Sequence, residues 1–118
     1  MIKVAFLTND LKNIDAHFGS AEYFALYDVS GSGHTLFGVV NVDAQTSDSR
    51  VELLQKECVD ILYCTDIGAA AAAKVVNGKI FPIKYKDSVS IELELEKLSN
   101  MLLTNPPPFI KKIEEERA

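Results

Sequence analysis

The chain has 118 residues, 47% hydrophobic and 25% charged, and its 12 basic against 17 acidic side chains leave a net charge of −5. That length fits one domain with a core that needs neither disulfides nor a structural metal. An acidic chain without a clustered basic run excludes counterion-release binding to nucleic acid, and its longest apolar run, residues 67–73, falls far short of the ~20 residues of a membrane span.

Residues 2–8 (IKVAFLT) form a short apolar run ended by Asn9-Asp10, as expected of a strand buried on both faces. Residues 9–19 follow as a polar loop. Residues 24–29 are aromatic and β-rich, Gly31-Ser32-Gly33 offers a hairpin turn, and residues 35–42 return as the third strand of an antiparallel meander. Ser49-Arg50-Val51-Glu52 reads as a capping box, opening a helix whose apolar face carries Val51, Leu54 and Cys58. Cys58 is accordingly assigned to packing. Residues 59–63 are a β run. Asp66 is expected to cap a helix running to Asn77, with Gly78 as its left-handed C-terminal residue. Residues 80–85 read as a fifth strand, which Pro82 marks as an edge.

Residues 88–103 place Ile91, Leu95, Leu98 and Leu102 on one helical face, although residues 91–96 also alternate as a strand would. A strand of that length is unusual, so a helix is expected, with Leu93 exposed or at the edge of its apolar stripe. Asn105-Pro106-Pro107-Pro108 stops it. Residues 109–117 remain as a short charged helix or a frayed tail. The expected organisation is one domain over residues 1–104 and a proline-led tail over residues 105–118.

The order β-β-β-α-β-α-β-α predicts an α/β fold of ribonuclease H-like type. Its mixed five-stranded sheet would have the order 3-2-1-4-5, with helices on both faces and the fourth strand parallel beside the first. Ligands of such sheets bind outside the carboxyl ends of the strands, where the order switches. Here that point brings together Asp15-Ala16-His17-Phe18-Gly19, after the first strand, and Cys64-Thr65-Asp66-Ile67-Gly68, after the fourth.

Each candidate has a plain structural alternative. The His17 imidazole can donate a lone pair to iron or zinc, with Asp15 orienting the ring; equally, His17 is a surface group and Asp15 closes a local turn. Cys64 is either an inert buried thiol or a thiolate ligand stabilised by the helix start that follows it. Asp66, Ile67 and Gly68 make a tight turn whose free amides can hold an anion. No phosphate-loop pattern occurs, and His34 is given no role. Lys111-Lys112, followed by three glutamates at 114–116, reads as a solvated face.

At these residues the chain resembles a known family. Asp15-Ala16-His17-Phe18-Gly19 after an N-terminal strand is the first part. Cys58-Val59-Asp60-Ile61-Leu62 before Asp66-Ile67-Gly68 and an alanine-rich helix is the second, and Lys79-Ile80-Phe81-Pro82-Ile83-Lys84 is the third. Together they are similar to the dinitrogenase iron–molybdenum cofactor biosynthesis family over about residues 1–110. Asn105-Pro106-Pro107-Pro108-Phe109 resembles the ending of its NifX-type members. The resemblance implies a ribonuclease H-like fold and a non-catalytic role in nitrogenase cofactor assembly. NifX-type proteins hold or pass an iron–sulfur precursor of the cofactor between the precursor-making enzyme and the assembly scaffold. The histidine of the family pattern falls on His17. The usual pair of glycines is Gly68-Ala69 here, and Cys64 is not implied by the resemblance.

A carrier must release an anionic cluster, so one or two ligands, His17 and Cys64, suit it better than a closed cage. Two other classes remain open. One is a metal-dependent nuclease using Asp10 and Asp66. The other is an adaptor of the scaffold that binds no cluster and uses the proline segment and acidic tail. The expected setting is cytoplasmic and reducing, with the protein a monomer that engages neither membrane nor nucleic acid.

Overall fold

A computed structural model of the chain describes residues 1–117. The elements are β1 (Ile2–Thr8), β2 (Asn13–Ile14), β3 (Tyr23–Ser30), β4 (Gly33–Asn41), α1 (Ser47–Lys56), β5 (Ile61–Cys64), α2 (Ala69–Asn77), β6 (Phe81–Lys84), β7 (Val89–Ser90), α3 (Ile91–Leu103) and α4 (Pro108–Arg117). Ala118, the last residue of the expected tail, lies outside the described residues.

The main sheet is mixed and five-stranded, in the order β4-β3-β1-β5-β6. β1 is central, antiparallel to β3 with Ala5 opposite Leu26, and parallel to β5 with Ala5 opposite Leu62. Its side chains alternate between two cores. Ala5 and Leu7 face Val51 and Leu54 of α1 and Val75 of α2. Ile2, Val4 and Phe6 face Ile91, Leu95 and Leu98 of α3 and Ile110 of α4. A strand covered on both sides must be apolar throughout, which is why this run does not alternate with polar residues.

Several local expectations change. Thr46, not Ser49, caps α1, because its hydroxyl accepts the Ser49 N–H at 3.1 Å. Asp66 does not cap α2: the helix starts two residues later, behind Gly68, and has no side-chain cap. Gly78 sits at φ −80°, and the left-handed turn falls on Lys79 at φ 64°. Cys58 also adopts a left-handed conformation (φ 58°) just past α1, which turns it out to solvent instead of into the core. In the hairpin, the glycine with positive φ is Gly33 (φ 145°).

The polar loop is not continuous. Asn13 and Ile14 pair with Ser90 and Val89 in a small second sheet, β2-β7, and the Ile91 N–H donates to the Lys12 carbonyl. Ser90 then caps α3 by accepting the Leu93 N–H at 3.3 Å. Beyond the prolines the chain is helical: Ile110 is buried, and Phe109 stacks on Phe81 of the edge strand β6 at 4.2 Å between centroids. No helix among the described residues is long and apolar enough to cross a membrane.

Candidate functional site

The carboxyl ends of β1 and β5 meet through the main chain. The Thr65 N–H donates to the Ala16 carbonyl (3.0 Å), and the Phe18 N–H to the Asp66 carbonyl (2.8 Å). His17 and Asp66 form an isolated parallel bridge. This short extended segment buries Ala16 and Phe18 in the core and turns the residue between them outward. His17 is therefore held by its backbone while its side chain is 64% exposed.

Asp66 faces the ring. Its Oδ2 lies 3.4 Å from His17 Nδ1, an ion-pair distance longer than a close hydrogen bond, and its Oδ1 accepts the Ile67 N–H at 2.9 Å. Lys84 Nζ, at the end of β6, stands 3.7 Å from Asp66 Oδ1. With Nδ1 turned to a carboxylate, the Nε2 lone pair is the one left for a metal. Among the described residues Nε2 has no protein partner.

The other expected site residues fall into three groups. Asp66, Ile67 and Gly68 do lie beside His17 at the start of α2. Gly68 is exposed, and the first turn of α2 contains no acidic side chain to occupy its free amides. Phe18 is a core residue, and Gly19 is exposed with open space where a side chain would project. Asp15 does not orient the imidazole: its Oδ1 accepts the Asn9 N–H at 2.8 Å and closes the neck of the loop. Asp10 is likewise occupied, accepting from the Lys12 and Asn13 N–H groups and the Asn13 amide. Those bonds hold its carboxyl down at a pKa of about 2.

Cys64 lies at the right height on the sheet but points the wrong way. It is fully buried in the core beneath α1 and α2. Burial first, and the Asp66 charge second, push its thiol pKa up to about 11, which favours the inert buried thiol over the thiolate alternative. Among the described residues, no three His, Cys, Asp or Glu side chains gather as a metal-holding group. The site offers one outward imidazole, a nearby ammonium and open amides, which suit contact with one face of a larger anion.

Two residues went unread in the sequence. Lys84 becomes a site residue only because β6 lies beside β5 in the sheet. Arg50, taken as part of a capping box, is buried; its Nη1 donates to the Phe18 (3.1 Å) and Ala21 (2.8 Å) carbonyls and its Nε to the Gln45 carbonyl (3.1 Å). It clamps the loop that carries His17 onto α1. A lone arginine within an apolar helical face, Val51 and Leu54 beside it, was the available signal.

Residues 1–101 match the family described as dinitrogenase iron-molybdenum cofactor. The protein NifX of Sinorhizobium fredii is 35% identical, over 95% of this chain and 77% of its own length. The protein NifX of Rhodobacter capsulatus is 31% identical with the same coverage. Among solved structures, the crystal structure of the PH0822 protein superposes with a TM-score of 0.70 at 20% identity, covering 92% of this chain and 97% of that one.

Proposed function

This chain belongs to the dinitrogenase iron–molybdenum cofactor family, and we propose that within cofactor biosynthesis it is a non-catalytic carrier of an iron–sulfur precursor. The names of its relatives support a role in making the nitrogenase cofactor. The finer reading rests on one observation: His17 is fixed by its own backbone yet presents its ring to solvent, with Nδ1 facing Asp66.

In this reading Nε2 of His17 is the protein's ligand to an iron of the cargo. Asp66 holds the ring in the tautomer that frees Nε2. Lys84 and the open amides of Gly68 and the first turn of α2 face the negative charge of the cluster. Cys64 takes no part. A single imidazole with electrostatic support holds a cluster and still lets a partner with more ligands take it, which is what transfer to an assembly scaffold requires. The precursor-making enzyme and that scaffold are the partners implied. The sheet order and two-sided helix packing support the ribonuclease H-like assignment, without importing that fold's chemistry. The nuclease alternative loses its first carboxylate, because Asp10 is bonded within its own loop.

Anaerobic incubation with purified precursor, followed by gel filtration, tests the reading. The protein should elute with iron and with charge-transfer absorption, and should release the cluster unchanged. Elution without iron, or purification-resistant nuclease activity lost in Asp10→Asn, would overturn it.

A further inference from the structure

The main sheet ends on two unlike edges. β6 carries Pro82 and Lys84, residue types that keep an edge from pairing further. β4 carries neither. No described strand covers its outer side, and residues 33–42 include no proline and no charged side chain. Leu36 and Val39 on this strand are 49% and 45% exposed.

A bulge decides what can pair there. Leu26 of β3 stands opposite Gly38 and Tyr27 opposite Leu36, so Phe37 is an extra residue in β4. Ser30 and Gly33 face each other across the two-residue turn, where a hairpin exchanges hydrogen bonds, and the Val42 N–H donates inward to the Glu22 carbonyl. Alternation from both ends leaves the main chains of His34, Leu36, Val39 and Asn41 pointing outward. In a regular strand outward groups repeat every two residues, but Leu36 and Val39 are three apart. Their side chains follow. Leu36, opposite Tyr27, and Val39, opposite Ala25, both lie on the α3 face, where a regular strand would put them on opposite faces.

A regular strand laid along β4 therefore falls out of step at the bulge. A second copy of β4 does not. Run antiparallel about a two-fold axis between Phe37 and Gly38, it carries the same three-residue step at the same place. In that register Leu36 faces Val39 of the second copy and His34 faces its Asn41, with about eight hydrogen bonds between the strands. The first charged residue beyond the strand, Asp43, falls opposite Ser32, so no like charges meet along the pair.

We propose that two copies of this chain pair through β4 in this register and join their sheets into one, in place of the monomer expected from the sequence. β3 separates this edge from the β1–β5 junction that carries His17. The inference stands whatever His17 binds.

Sedimentation of the full chain over micromolar to millimolar concentrations should show a reversible dimer. Amide hydrogen exchange should protect the His34, Leu36, Val39 and Asn41 N–H groups only at concentrations where the dimer forms. Leu36→Lys and Val39→Glu, both surface changes, should each weaken it about tenfold or more with unchanged melting. An equimolar mixture of the two variants should regain the dimer, because the register sets the changed positions opposite each other with opposite charge. A monomer throughout, a dimer indifferent to both variants, or no recovery in the mixture would overturn the proposal. Binding of a regular threonine-valine strand peptide to the same amides of a monomeric chain would overturn it in favour of a foreign strand.

Discussion

The loops after β1 and β5 are joined by the Thr65–Ala16 and Phe18–Asp66 main-chain bonds, yet the two candidate ligands they carry sit in opposite surroundings. His17 is 64% exposed on its side chain, whereas Cys64 has no exposure at all. Strand alternation makes the difference. Leu62 and Cys64 share the face of β5 that packs under α1 and α2, so Cys64 inherits a core position. Ala16 and Phe18 take the core positions of the other segment, which turns His17 out. Nearness to a switch point therefore brings a residue to the site, while its parity along the strand decides whether it can act there.

The contrast depends on the His17 segment staying pinned, and Arg50 is where it breaks most severely. Arg50→Ala should cost about 3 kcal/mol in chemical denaturation, because the Phe18, Ala21 and Gln45 carbonyls lose a charged donor inside the fold. Arg50→Lys should recover only part of this, since an ammonium cannot reproduce the planar fork. Neutral behaviour of Arg50→Ala would mean the loop is held by other contacts.

Thiol chemistry sharpens the same comparison. At pH 8 the exposed Cys58 should alkylate well before Cys64, which is fully buried and whose thiol pKa is pushed up to about 11 by that burial. The sign of the pH effect follows. Folding favours the neutral Cys64 thiol, so its contribution to stability is complete below pH 9 and is lost as pH rises from about 9 to 11. Cys64→Ala should flatten that limb of the stability profile, and an unchanged limb would remove Cys64 as its cause.

Asp66→Asn addresses the electrostatics at His17. It removes the negative charge near Nδ1 and the pairing with Lys84, and should lower cluster retention by about tenfold with little change in melting, because the carboxylate is half exposed. Unchanged retention would show that the ring needs no partner.

The smallest effect belongs to Asp10, whose loop bonds hold its pKa near 2. A depressed carboxyl contributes stability above its unfolded value of 3.8 that is lost as pH falls toward 2. Asp10→Ala should flatten the acid limb of the melting profile over that window. The same acid slope in both proteins would place the effect on other carboxylates.

Much of the fold was legible because apolar runs and breakers dominate it. The β1 run, the Gly31–Gly33 hairpin, Pro82 on an edge and the α3 heptad-like spacing each follow from local rules. What went unread depended on distant partners. The two-residue strands β2 and β7 carry no periodicity and exist only through each other. Residues 109–117 stayed open between a short helix and a frayed tail, and Ile110, docked on the core, decides for the helix over Pro108–Arg117. At the site, His17 and the Asp66-Ile67-Gly68 turn were legible as two loops meeting at a switch point. The choice between a buried thiol and a ligand at Cys64, and between a turn and an orienting role at Asp15, stayed open, and the Arg50 clamp was not legible, because each depends on side-chain direction fixed by packing.

Iron retained per protein after anaerobic loading with precursor and gel filtration, compared among wild type, His17→Ala and Cys64→Ser with melting curves alongside, tests the central claim most directly. His17→Ala should lose about 10–100-fold in retention at unchanged melting, since one exposed ring contributes little to the core. Cys64→Ser should retain iron as wild type and lose stability instead, because a hydroxyl replaces a packed thiol. Wild-type retention by folded His17→Ala, or loss of iron from Cys64→Ser at unchanged melting, would contradict the account.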